Sequence, residues 1–227
     1  MKVIQPAEAD QAAELRELQI AQKYLRCPYF EKRVRGINEL KEIYFKVANA
    51  ANKGRTTEQL ACTKWLNAEK YSRWLLDENI IKFIFLENPH VELIKRSSEI
   101  MRLLALDERF FTADIVDMLW VCASEKHEDI IRATLDLIQD LALIMPLDRL
   151  GQLATKLRGV KDNEFDEKLV HFLKNYTLNT MKNIQRLRKG ADAKTGLIGN
   201  IMGKKTTVKI DEGKYIDLAL FWQIFQD

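Results

Sequence analysis

Residues Lys126 to Met145, KHEDIIRATLDLIQDLALIM, decide how the chain folds. Ile130, Ile131, Thr134, Leu135, Leu137, Ile138, Leu141, Ala142, Ile144 and Met145 recur at helical spacings, yet they spread beyond one narrow stripe. A helix of this kind needs cover on more than one side. Thirty-seven residues upstream the pattern is present again: His90-Val91-Glu92-Leu93-Ile94-Lys95 lies over His127-Glu128-Asp129-Ile130-Ile131-Arg132 without a gap. Ile100 then matches Leu137, and Leu104-Ala105-Leu106 matches Leu141-Ala142-Leu143. Self-similarity at about 35 to 45 residues in a helical chain marks arrays of the armadillo or HEAT kind, because each unit hides the apolar face its neighbour leaves open. The fold class expected is all-α, an armadillo/HEAT-like α-solenoid.

Composition agrees. At 227 residues the chain can bury a sizeable core, and 47% hydrophobic with 30% charged residues suits a soluble protein. Nine glycines and four prolines are too few for the turns of an all-β fold. No stretch reaches the 18 or so apolar residues of a membrane span. The start, MKVIQPAEAD, lacks a signal-peptide core, so a cytoplasmic location is expected, with the nucleus also open. Cys27, Cys62 and Cys122 are odd in number and widely spaced, which suits reduced core thiols and not a disulfide framework or a metal site.

Working outward, a helix is expected from Ala7 to Leu25 with Leu15, Leu18 and Ile20 among its buried residues, broken at Cys27-Pro28, with Pro28 opening a second that closes near Lys53-Gly54. Residues 57 to 86 form two or three shorter helices; Asn67 caps one, and Asp77-Glu78-Asn79 is a joint. Trp65, Trp74, Phe83 and Phe85 supply packing and not a ligand cage. Pro89 opens a helix over 90 to 106, Thr112 caps ADIVDMLWVCA, and Pro146 opens LDRLGQLATKL. A long helix follows from Glu164 to Lys189, with Leu178 and Met181 on its apolar side. The array is assigned to residues 1–189. Residues 190–213 are expected to form a flexible basic Gly/Lys-rich loop, and residues 214–227 the truncated start of a further repeat helix.

Net charge is +3, so the molecule as a whole offers no case for nucleic acid or membrane. From Lys182 to Lys209 eight bases face the single acid Asp192, but the run lacks interleaved aromatics and is expected to be a solvated linker.

Chemistry is sought without success. His127, Glu128 and Asp129 suit the first turn of a helix, where free N–H groups and the macrodipole favour acceptors and acids. His90 repeats the place of His127, and recurrence with the scaffold points to structure. His171 sits mid-helix with no Cys or Asp at a recognisable spacing, and Cys122 follows Trp120 on an apolar helix, a desolvated setting that disfavours thiolate. Phosphate-cradling, dinucleotide, zinc-protease and serine-hydrolase motifs are absent. No catalytic, cofactor-binding or metal site is expected, and no cofactor.

Four blocks carry a family resemblance: Trp65-Leu66-Asn67-Ala68 with Trp74-Leu75 and Asn79-Ile80-Ile81; Val116-Asp117-Met118-Leu119-Trp120; Lys126-His127-Glu128-Asp129-Ile130-Ile131; and Tyr215 with Leu218, Leu220-Phe221-Trp222 and Gln226-Asp227. Together they resemble the non-catalytic region of the very large ubiquitin-specific proteases of the fat-facets type, from about Cys27 onward. That resemblance implies helical repeats upstream of a cysteine-protease core, and so a scaffold segment of a deubiquitinase. It implies no active site here, because Gly196-Leu197-Ile198-Gly199-Asn200 is followed by Ile201-Met202-Gly203 and not by the cysteine of the family's box. Glu125 departs from the glycine that the family often has before Lys-His, which puts the geometry of that turn in question. The implied partners are proteins, either ubiquitinated substrates or the parent's catalytic domain; membrane, nucleic acid and small molecules are not expected. Two rivals stay open: a stand-alone armadillo/HEAT adaptor, and a basic nucleic-acid-binding repeat protein.

Overall fold

A computed structural model of the chain describes residues 6–51, 63–160 and 166–188. All regular structure among them is helical. Helix α1 spans Pro6–Leu25 and α2 Phe30–Ala51. They cross at Gly36, where a Cβ would lie 2.3 Å from the Leu25 amide nitrogen and 2.8 Å from the Ala21 carbonyl oxygen. Only glycine permits so close a contact of two backbones. The turn between them is tied by Arg33, whose guanidinium donates to the carbonyls of Cys27 (2.7 Å) and Pro28 (3.3 Å). Helix α2 starts two residues later than proline chemistry alone suggests, its first amides, those of Lys32 and Arg33, donating to the Tyr29 carbonyl.

Helix α3 (Ala68–Asp77) begins under the expected cap, Asn67 Oδ1 accepting from the Lys70 amide at 2.9 Å. The joint after it contains Asn79 in the left-handed region (φ 54°), a conformation that asparagine tolerates better than most residues. A short α4 (Ile80–Lys82) then widens into a π-helical turn over Phe83–Glu87. Phe83 and Phe85 are buried and Trp65 and Trp74 half-buried against the core, as packing requires.

The single helix expected over 90 to 106 is two: α5 (Val91–Arg96) and α6 (Ser98–Ala105). Ser97 is the cause, for its buried hydroxyl donates to the Ile94 carbonyl at 2.8 Å and competes with the backbone for that acceptor. Helices α7 (Ala113–Ser124), α8 (Glu128–Leu141), α9 (Leu147–Arg158) and α10 (Glu167–Arg188) follow. Thr112 holds the N-cap position of α7 without a side-chain bond, while Pro146 opens α9 as expected. The turn before Lys-His needs no glycine, because Glu125 has φ −116°.

Packing runs in two rows. In one, α1 packs on α2, α2 on α5 and α6, these on α8, and α8 on α10. In the other, the π-turn packs on α7 and α7 on α9. The two segments that match at 37 residues are therefore neighbours in the same row, the arrangement a solenoid demands. One continuous core joins the rows, with Leu40, Tyr71, Phe85, Leu104, Phe111, Ile138 and Leu150 fully buried or nearly so. Buried polar groups stitch it: Tyr71 Oη donates to the Leu40 carbonyl at 2.7 Å, and Asn183 Nδ2 to those of Ala142 and Met145, both at 2.9 Å. Against expectation Ile20 faces outward on α1 and Leu178 and Met181 on α10, and Cys27 is half-buried in a turn, not in the core. The expected close of α2 at Lys53-Gly54, Cys62, the loop 190–213 and the segment 214–227 lie outside the described residues.

Candidate interaction groove

Where α8 and α10 diverge from the end of α7, they leave a groove of about 800 Å³. Trp120 from α7, Ile131 and Leu135 from α8, and Leu169 and Phe172 from α10 line it with apolar surface, while Lys126, Glu128, Arg132, Lys168 and His171 contribute charged or polar groups. Local sequence positions these side chains. His127 ends the α7–α8 turn in extended geometry, and its Nδ1 accepts the Asp129 amide at 3.4 Å, so Glu128 falls in the first turn of α8. The Asp129 carboxylate lies 3.6 Å from the same ring nitrogen. At the far wall Asp166 accepts the Leu169 amide at 2.8 Å and starts α10. The ammonium of Lys168 then meets Glu128 across the groove, with Arg132 pairing the same carboxylate at 3.3 Å. The Lys168 contact, then Arg132, holds the Glu128 carboxyl below its ordinary range.

His90 repeats the cap on α5, its Nδ1 accepting the Glu92 amide at 3.2 Å, as the matched positions led us to expect. Its ring also lies 4.0 Å from that of Phe30. His171 stands on exposed α10, with Asn175 Nδ2 2.9 Å from Nε2. Cys122 is fully buried, 3.3 Å from Thr134 Oγ1. Because the Thr134 hydroxyl donates to Ile130 at 2.8 Å, the thiol is the donor in that pair. Burial pushes its acidity down and its pKa up. The structure therefore does not bring these residues together. Among the described residues no group of three or more His, Cys, Asp and Glu could hold a metal ion, and no helix is long and apolar enough to cross a membrane.

The groove itself was not anticipated from sequence. Trp120, Leu169 and Phe172 are indistinguishable in periodicity from core residues; Phe172 is in fact buried, and the partial exposure of Trp120 and Leu169 depends on how α10 is placed against α7. An aromatic on the less apolar side of α7 was the only available signal. The geometry suits recognition of an apolar side chain between charged walls.

Two rows of stacked helices around one core, with like segments adjacent at a repeat of 37 residues, define an armadillo-type helical repeat protein. The chain belongs to the family described as the UBP24/USP9X/USP9Y ARM repeat, which matches residues 11–189. It is similar to human ubiquitin carboxyl-terminal hydrolase 9Y, 23% identical over 130 residues, which cover 57% of this chain and 5% of that protein. Human ubiquitin carboxyl-terminal hydrolase 34 is 26% identical over 125 residues, 55% of this chain and 3% of that protein. The Drosophila melanogaster protein named probable ubiquitin carboxyl-terminal hydrolase FAF is 22% identical over 133 residues, 57% and 5% respectively. The chain thus spans a small fraction of the length of these relatives. No solved structure matches it.

Proposed function

We propose that this chain is a non-catalytic scaffold segment of a large cysteine-type deubiquitinase, and that it positions protein partners for a hydrolase domain carried elsewhere in the parent. The partners are ubiquitinated substrates or the catalytic domain itself, and the working location is cytoplasmic. The observation that carries this reading is the family match across residues 11–189, in which the matching relatives are ubiquitin carboxyl-terminal hydrolases. Two features support the scaffold role: the stacked helices form a continuous surface, and the α7–α8–α10 groove sets an apolar floor between charged walls. The buried, protonated Cys122 supports a role without chemistry.

The test has two arms. Translation of the parent transcript beyond Asp227 should show a cysteine-box hydrolase domain; its absence sinks the parent assignment and favours the stand-alone adaptor. In the intact parent, Ile131→Glu in the groove should slow cleavage of a ubiquitinated protein while leaving hydrolysis of a small fluorogenic ubiquitin substrate unchanged. Equal slowing of both reactions, or of neither, would refute substrate positioning by the groove. The 227-residue chain alone should not turn over the fluorogenic substrate, and turnover abolished by Cys122→Ala would overturn the non-catalytic reading.

A further inference from the structure

A second surface lies on the first two helices. Arg16, Ile20, Lys23 and Tyr24 recur at i, i+4, i+7 and i+8 along α1 and so share one face. Arg16 and Lys23 are exposed, and neither makes an ion pair among the described residues. Ile20, between them, is 45% exposed, unusual for so large an aliphatic side chain on a helix that buries Leu18, Ala21 and Leu25 completely. The start of α2 adds two more cations: the Arg35 guanidinium lies 4.6 Å and the Lys32 ammonium 5.8 Å from the centre of the Tyr24 ring. Of the acids nearby, Glu17 is bound to Lys46 at 2.7 Å, and Glu39 offsets only Arg35, at 3.4 Å; Glu31, exposed at the start of α2, offsets one more charge. The face remains cationic around an apolar centre.

We propose that Arg16, Ile20, Lys23, Tyr24, Lys32 and Arg35 form a docking surface for an acidic segment of a partner protein, with an apolar side chain of that segment seated on Ile20 and its carboxylates reaching the cations. Charge complementarity selects the sign of the partner, and the exposed aliphatic centre supplies the anchor that a purely electrostatic contact lacks. Nucleic acid fits less well, because the Tyr24 ring is covered by Arg35 and offers no open face for a base to stack on. A membrane surface would need several bulky apolar groups side by side, whereas Ile20 and the half-buried Tyr24 stand among four cations and the exposed Tyr29 and Phe30 lie apart from α1, in the turn and at the start of α2. None of the groove residues is involved, so the proposal and the scaffold reading fail independently.

The full 227-residue chain is titrated into a fluorescein-labelled peptide of glutamates and leucines in helical register, and anisotropy is read. Binding should weaken with added salt. It should fall about tenfold with Ile20→Asp and with Lys23→Glu, the scale of losing an interface anchor. Lys174→Glu, on α10 and away from this face, should leave it unchanged. Circular dichroism confirms that each variant is folded, and Lys23→Ala serves if Ile20→Asp is not. The proposal is overturned if the peptide does not bind, or if folded variants bind it as the parent chain does. It is equally overturned if a peptide with serine for leucine, an oligothymidylate or a phosphatidylserine vesicle binds as tightly.

Discussion

Asn183 shows how one side chain can secure a helix end that its own sequence leaves open. The carbonyls of Ala142 and Met145 follow the last turn of α8, where intrahelical donors run out, and both accept from the same buried amide of α10. Asn179, one turn earlier, donates to the Gln139 carbonyl at 2.8 Å. Replacing Asn183 by Ala strands two buried carbonyls, so Asn183→Ala should cost about 2 to 3 kcal/mol in a urea denaturation experiment, and Asn179→Ala about 1 kcal/mol. Equal small effects for both would show that water takes over the amide's role. Cys122 leads to a second expectation. Iodoacetamide should label the half-buried Cys27 in the folded chain and spare Cys122 until denaturant is added, because the latter has no solvent-exposed surface and its thiolate is disfavoured. Mass spectrometry of the labelled peptides reads both outcomes.

At the level of elements, the α1–α2 crossing depends on the missing side chain at Gly36. In an unconstrained helix, Gly→Ala gains about 1 kcal/mol. Here the new methyl would meet backbone atoms of Leu25 and Ala21, which cannot swing aside as a side chain can. Gly36→Ala should therefore lower stability by about 1 to 3 kcal/mol, read as the urea midpoint, and a gain would mean that the crossing relaxes freely. The same helices show what was legible in advance. The periodic apolar residues of α2, α7, α8 and α9, the Asn67 cap and the histidine caps all follow from local spacing and local chemistry. Ser97 was hidden because one hydroxyl among many breaks a helix only if it bonds backward. The π-turn at Phe83–Glu87 and the outward faces of Leu178 and Met181 depend on neighbours distant in sequence, as do the groove and the Asn183 bonds. Periodicity identifies a buried side; it does not say how completely the next element covers it.

At the scale of the whole molecule, three buried tyrosines set its response to alkali. Burial, then Glu99, pushes Tyr44 up to about 12, and burial pushes Tyr71 and Tyr176 up as well, with their hydroxyls on the carbonyls of Leu40 and Leu150. A phenol whose folded pKa exceeds its unfolded value adds stability that is complete below the unfolded value of 10.0 and is lost as pH rises through the folded value. Stability should therefore decline from about pH 10 upward, and phenolate absorbance of these three should appear only with loss of helix. Phenolate signal from all the tyrosines before any change in circular dichroism would contradict it. A different long-range tie lies near the beginning of the chain. Glu14 of α1 accepts the backbone amides of Lys64 (2.7 Å), Trp65 (3.1 Å) and Leu66 (2.7 Å), which precede α3 and belong to no helix. One carboxylate thus latches a stretch that begins fifty positions away, so the exchange rates of three loop hydrogens become a gauge of whether the first helix is seated. Glu14→Gln should release them to solvent deuterium while the amides inside α3 stay protected, because the latch joins α1 to the stretch before α3 without lying inside either helix.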